Sequence, residues 1–205
     1  MKSVAVRAWL SILLMALAAY GIYSGWRMYD RFAASRAPAA VVTPVQESLV
    51  GHQIQPFTLT ERSGREFDSK ELDGQVWVAS FFFSSCPGAC IKMNNTIASL
   101  QEEYKESGVK FISITVDPEN DSLDELQKYA KHFNADDERW LFLTGPEDEI
   151  RRVCTEDFQL AYGRALHSDR LVVIDGAGKV QGAYRATDDA QMVLFRRKLE
   201  QLIKG

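Results

Sequence analysis

Residues 76–95 read VWVASFFFSSCPGACIKMNN and join an apolar run to a segment with two cysteines. The run over 76–83 is apolar nearly throughout, which is typical of a β-strand covered on both faces of a sheet. Apolar residues then recur at helical spacing, and this pattern predicts a helix over about 87–106. Sites in open α/β sheets form where strands end and helices begin. Cys86 and Cys90 lie at such a point.

Strand and helix signals continue to alternate along the chain. In order, they predict a hairpin over 57–67 before the quoted run and, after it, a strand over 111–116, a helix over 122–133, a strand over 140–143, a helix over 146–158, a hairpin over 171–184 and a helix over 188–203. The β-α-β-α-β-α order that ends in β-β-α predicts a three-layer α/β domain with a mixed central sheet.

The amino-terminal part has a different composition. Residues 8–26 read AWLSILLMALAAYGIYSGW without a charge, and a helix needs about 20 apolar residues to cross a bilayer. We therefore expect a membrane anchor over 1–31, with its span at about 8–26, an Ala- and Pro-rich tether over 32–49 and a folded domain over 50–205. The alternative is a cleaved signal peptide, since residues 16–18 offer a small-x-small exit.

Composition excludes two classes of protein. The formal net charge is −4, and an acidic chain without a basic stripe does not suit nucleic-acid binding, which depends on neutralising phosphates. The three cysteines are too few for a small disulfide-stabilised scaffold, and a core of this size does not need one.

Basic residues flank the predicted span on both sides, so the positive-inside rule does not orient it.

The two cysteines are compatible with three kinds of chemistry. They are four residues apart, about one helical turn, so both sulfurs can face one side of the first turn. We expect the helix amino terminus to lower the pKa of the Cys86 thiol. The C-x-x-x-C spacing differs from the C-x-x-C of thioredoxin-type oxidoreductases and from structural zinc motifs. Two thiolates suit Cu(I), but the spacing also permits a redox pair or a structural disulfide.

Three histidines are available as further ligands. We interpret His52 and His132 as surface residues, because the first lies in the entry region and the second near the end of a polar helix. His167 directly precedes the strand of the last predicted hairpin, on a loop that can fold back toward the cysteines. It is the candidate for an imidazole ligand.

Several stretches together resemble the Sco (SenC) family of membrane-anchored copper chaperones. They are FFFSSCPGAC at 81–90, VDPE at 116–119 and LHSDRLVVID at 166–175, with GAGKV behind it. The resemblance runs from about residue 50 to 203. It implies a thioredoxin-like fold and a copper ion held by Cys86, Cys90 and His167.

The resemblance also implies a partner and a location. Family members deliver copper to the dinuclear copper centre of cytochrome c oxidase, or reduce the cysteines of that centre. The domain is then expected on the extracytoplasmic side of a membrane. The apolar span starts at residue 8, which leaves no room for a transit peptide and favours a single-pass protein of the bacterial inner membrane over a mitochondrial one.

Other residues have simpler interpretations. Asp117 ends a predicted strand beside the site and is a candidate to orient a ligand, although an Asp before a Pro is also typical of a turn. Cys154 is interpreted as a small buried core residue, and the phenylalanines at 81–83 as sheet core.

Two functions use the same cysteine pair. The leading hypothesis is a copper-binding assembly factor. The alternative is a membrane-tethered thiol–disulfide reductase, in which Cys86 attacks a target disulfide and Cys90 resolves the mixed disulfide. A third possibility, a purely structural disulfide, would not explain why Cys86 lies at the start of a helix.

Overall fold

The structure is a computed structural model that describes residues 20–21, 23–25, 47–163 and 168–204. The predicted span and tether lie mostly outside these residues, so both stay predictions. Within the described part of the chain, no helix is long and apolar enough to cross a membrane. The chain divides into two compact units, Met1–Val41 and Val42–Gly205. The second unit holds the strands and helices that follow.

A mixed sheet forms the centre of this unit. Its strands in the described residues are β1 Thr58–Glu61, β2 Glu66–Asp68, β3 Trp77–Phe82, β4 Lys110–Thr115, β5 Trp140–Thr144, β6 Arg170–Ile174 and β7 Val180–Arg185. Their order across the sheet is β2-β1-β5-β4-β3-β6-β7. Strands β3, β4 and β5 pair in parallel, whereas the other pairs are antiparallel. The predicted mixed α/β sheet is confirmed.

Four α-helices accompany the sheet in the described part of the unit. They are α1 Ala89–Glu103, α2 Leu123–His132, α3 Glu147–Arg152 and α4 Asp189–Lys204. Helix α2 has a side-chain cap at its start, because the Ser122 hydroxyl oxygen accepts a hydrogen bond from the Glu125 backbone amide at 3.3 Å. This bond satisfies one of the amides that a helix start leaves without a partner.

Two predicted helices have wrong boundaries. Helix α1 begins at Ala89 and not at residue 87, because Gly88 at its N-cap has non-helical dihedrals (φ −147°, ψ −85°). The helix predicted over 146–158 ends as an α-helix at Arg152 and continues as a π-turn over Val153–Asp157. There the Phe158 amide donates to the Val153 carbonyl at 3.1 Å, which is the wider bonding pattern of a π-helix.

The end of β3 is fixed by aromatic packing. All six residues of β3 are buried, as expected for a strand with neighbours on both sides and layers on both faces. The Phe81 ring meets Phe158 edge to face, with centroids 5.0 Å apart, and Phe82 stacks on Tyr129 at 5.1 Å. Each buried phenylalanine contributes about 1.5–3 kcal/mol to stability. This packing holds the carboxyl end of β3, just before Cys86, in a fixed position.

Candidate functional site

The two cysteines lie at the carboxyl edge of the parallel strands. Cys86 follows β3 after a turn at 84–85, and its amide donates to the Phe83 carbonyl at 3.1 Å. Cys90 is the second residue of α1. Cys86 was expected at the start of this helix. It lies just before it instead, because Pro87 and Gly88 separate Cys86 from Ala89, the first helical residue.

Both cysteines are buried and neither forms a disulfide, with 2% of Cys86 and 1% of Cys90 exposed. Their side chains share a hydrogen bond. Burial, followed by this bond, raises the pKa of Cys90 to about 12. A helix amino terminus acts in the opposite direction, and burial outweighs it at this residue. Cys90 is therefore a neutral thiol at neutral pH until a metal ion or another reactant displaces its proton.

A buried carboxylate anchors the turn that leads to Cys86. Asp121 accepts hydrogen bonds from the Ser84 amide at 3.1 and 3.2 Å, from the Ser84 hydroxyl and from the Thr115 hydroxyl. Thr115 is the last residue of β4 and lies opposite Phe82 of β3. Asp121 thus joins the ends of both strands to the loop before α2. Its role could not be predicted, since no local sequence pattern shows that Asp121 contacts a serine 37 residues earlier.

Asp117 forms a turn. Its carbonyl accepts from the amides of Asn120 at 3.1 Å and Asp121 at 2.9 Å, and its carboxylate accepts from the Asn120 side chain at 2.9 Å. These bonds support the interpretation of Asp117 as a turn residue. A role of Asp117 in orienting a ligand stays a prediction.

A narrow pocket opens beside Cys90. Its lining consists of Phe81, Phe82, Phe83, Cys90, Val116, Cys154, Leu160, Ala161, Gly163 and Ser168. Gly163 and Ser168 are the described residues on either side of 164–167, and His167 itself lies outside the described residues. The chain therefore lines the Cys90 pocket immediately before and immediately after the segment that carries His167. Within the described ranges, no three His, Cys, Asp or Glu side chains are grouped as a metal site.

Cys154 is buried, as predicted for a core residue. Its sulfur lies 3.9 Å from the Leu160 carbonyl and 3.8 Å from the Ala161 carbonyl, and burial raises its pKa to about 12. Cys154 also lines the same pocket as Cys90. This position could not be predicted, because Cys154 lies within the π-turn.

The other histidines lie elsewhere. His132 is exposed, as predicted. His52 is half-buried, and its Nε2 has no hydrogen-bond partner in the described part of the chain. The interpretation of His52 as a surface residue is therefore wrong for this ring atom, which is buried. Its carbonyl accepts from the Val180 amide at 2.9 Å, which pins it to the β7 side. Neither residue lines the Cys90 pocket.

Comparison with known proteins identifies the family. The SCO1/SenC family model matches residues 45–204, which is most of the chain. The chain belongs to the SCO1/SenC family. The match includes the cysteine pair, the buried Asp121 and the segment that carries His167. The resemblance seen in the sequence motifs of this Sco chain is thereby confirmed.

Solved structures of Sco proteins share the fold. A SCO1/SenC family lipoprotein from Bacillus anthracis is 29% identical with a TM-score of 0.68, over 80% of this chain and 99% of that one. BsSco, a member of the Sco family of cytochrome c oxidase assembly proteins with a disulfide switch, is 25% identical with a TM-score of 0.66, over 78% and 96%. Copper-bound ScoI of Arabidopsis thaliana, at 23% identity and a TM-score of 0.62 over 74% and 99%, shows a likeness of fold alone.

Proposed function

We propose that this chain is a copper-binding protein that assists assembly of the copper centre of cytochrome c oxidase. Cys86, Cys90 and His167 are its proposed copper ligands. The observation that carries the proposal is the hydrogen bond between two buried cysteine thiols, one of which lines a pocket that Gly163 and Ser168, on either side of 164–167, also line. Two sulfurs and an imidazole form a soft donor set of low coordination number, which is the set that Cu(I) prefers.

The surroundings of the thiols suit a cargo ion that is held and then released. Phe81, Phe82 and Phe83 line the pocket together with Cys90, and an apolar lining keeps water away from bound Cu(I). Copper that displaces the Cys90 proton is bound as a thiolate complex. Transfer then needs only stepwise exchange of sulfur ligands with a target that offers its own soft ligands.

The family supplies the proposed partner and location. BsSco is described as a cytochrome c oxidase assembly protein and the B. anthracis relative as a lipoprotein, and both descriptions favour work at a membrane surface. We infer that residues 1–31 anchor the chain to the bacterial inner membrane in a single pass. Residues 32–49 tether it, and the domain over 50–205 meets the oxidase subunit with the dinuclear copper site on the periplasmic side.

A thiol–disulfide reductase is the second candidate. It is favoured by the hydrogen bond between the two reduced thiols and by the disulfide switch described for BsSco. The Cys86 thiolate attacks a target disulfide and releases one target thiol. The Cys90 thiolate then attacks the mixed disulfide, which leaves a Cys86–Cys90 disulfide and releases the second target thiol. This reaction does not use His167.

Cu(I) binding by the reduced full-length protein separates the two candidates. We expect wild type to bind one Cu(I) tightly and the double variant Cys86→Ser/Cys90→Ser to bind none. His167→Ala should bind at least roughly 10–100-fold more weakly, since that is the usual cost of losing only a hydrogen-bond partner of a ligand. The matched control is His132→Ala, which removes an exposed imidazole and leaves affinity unchanged. Failure of wild type to bind copper overturns the proposal. Equal binding by wild type and His167→Ala, with both reducing a protein disulfide, favours the reductase.

A further inference from the structure

A buried polar pair lies next to the cysteines and has no part in the function proposed so far. Asn94 follows Cys90 by one helical turn on α1, on the same helix face, and has no exposed surface. Its Nδ2 donates to the Tyr129 hydroxyl of α2 at 3.0 Å. The Tyr129 ring stacks on Phe82, at the end of β3. The pair is thus held by the three elements that surround the cysteines.

This pair holds more hydrogen-bond donors than it uses. An amide group carries two N–H protons and a phenol one O–H proton, and the bond between the two side chains uses one of the three. In the described part of the chain, neither side chain makes another hydrogen bond, and Asn94 Oδ1 is buried without a partner. Turning the amide over, so that the hydroxyl donates to Oδ1, also leaves two donors. Buried donors without an acceptor cost about 1–3 kcal/mol each.

The Cys90 sulfur is an acceptor one turn before Asn94 on the same face of α1, where residues four apart have Cβ atoms about 5–6 Å from each other. Burial raises the pKa of the Tyr129 hydroxyl, and negative charge on Cys90, Cys86 or Asp121 raises it further. The Asp121 oxygens already accept from Ser84 and Thr115. A neutral thiol accepts hydrogen bonds weakly, whereas a thiolate accepts them strongly. The unused donors therefore fit a state in which the sulfurs are thiolates.

We propose that Asn94 and Tyr129 are positioning residues for bound copper, which donate hydrogen bonds to the Cys90 sulfur when it binds the ion as a thiolate. The inference rests on the proposed function. Hydrogen bonds to a thiolate draw charge away from the sulfur, and this favours the lower oxidation state of the metal. The pair thus makes the site hold Cu(I) in preference to Cu(II).

The test compares the two copper states in the full-length protein. Tyr129→Phe removes only the hydroxyl, and Asn94→Leu removes the amide. We expect the ratio of Cu(I) to Cu(II) affinity, measured by competition with chelators, to fall about tenfold in each, as for loss of one hydrogen bond to a charged group. The sulfur-to-Cu(II) charge-transfer band should move to longer wavelength, because a less stabilised thiolate gives up an electron more easily.

Tyr104→Phe is the matched control. It removes a buried hydroxyl at the opposite end of α1 and should leave the ratio and the band at wild-type values. Circular dichroism of each variant shows whether it is folded, and Asn94→Leu decides the question if Tyr129→Phe is not. An unchanged ratio and band in a folded, copper-loaded variant overturns this inference and leaves the proposed function intact. A wild-type protein that binds no copper overturns both.

Discussion

Asp121 bears the most hydrogen bonds of any carboxylate near the cysteines in the described part of the chain, and its exposed fraction is 0%. A carboxylate withdrawn from water is stable only when donors replace the water, and here Ser84 and Thr115 supply them. Because Ser84 lies two residues before Cys86, the charge of Asp121 controls where the first sulfur is placed. One residue thus links the stability of the domain to the geometry of the site.

Asp121→Asn tests this link at constant volume. The new amide keeps one acceptor oxygen and turns the other into an N–H donor that faces the donors of Ser84 or Thr115. We therefore expect the free energy of unfolding of the metal-free protein to fall by about 2–4 kcal/mol. Urea unfolding measures it. Asp124→Asn, an exposed change in the first turn of α2, serves as control and should stay within about 0.5 kcal/mol of wild type. Equal effects of the two changes would show that Asp121 is not the anchor.

The raised pKa of Cys90 determines how copper binding depends on pH. At pH 6.5–8.5 this thiol is protonated, because its pKa is about 12. Cu(I) binding then releases its proton, and the apparent affinity should rise about tenfold per pH unit from this thiol alone. Competition with a Cu(I) chelator across this range measures the slope, and Cys90→Ser should lower it. A flat profile for wild type would contradict a protonated Cys90.

At the scale of secondary structure, the elements follow local patterns where packing agrees with them. Strand β3 and the cap of α2 could be predicted, since an apolar run and a Ser before a helical pattern are local signals. The π-turn over Val153–Asp157 could not, because it depends on how Phe158 packs against Phe81. The contact between Asn94 and Tyr129 could not be predicted either, because the two residues are 35 positions apart in the chain.

Ser122 tests the contribution of a single cap to α2, the helix that carries Tyr129. Ser122→Ala removes the side-chain acceptor for the Glu125 amide, and we expect it to lower the free energy of unfolding by about 1 kcal/mol. Ser122→Asp keeps an acceptor and adds a negative charge at the helix amino terminus, so its stability should match or exceed that of wild type. Urea unfolding of the three proteins side by side is the measurement. Identical stabilities for the Ala and Asp variants would show that the cap does not contribute.

For the whole domain, buried groups that must stay protonated limit its stability in alkali. Cys154 and Cys90 both have a pKa of about 12 in the fold, against an ordinary value of 9.0. Burial of Tyr104 likewise raises its pKa to about 12. For all three the largest cause is the burial of an ionisable group, which disfavours its charged form. The domain therefore pairs a thiol site suited to copper with a sensitivity to high pH.

The sign of this effect follows from linkage. Between pH 9 and 12 an unfolded thiol has lost its proton while the folded one keeps it, so the folded state binds more protons. The stability that Cys154 contributes is fully present below pH 9 and is lost as the pH rises toward 12, at up to about 1.4 kcal/mol per pH unit. Urea unfolding of the metal-free protein at pH 8, 9 and 10 should show this decline. Cys154→Ser does not titrate in this range and its hydroxyl can donate to the Leu160 carbonyl, so its decline should be shallower by about one proton. Parallel pH profiles for wild type and Cys154→Ser would mean that Cys154 ionises as readily in the folded protein as in the unfolded chain.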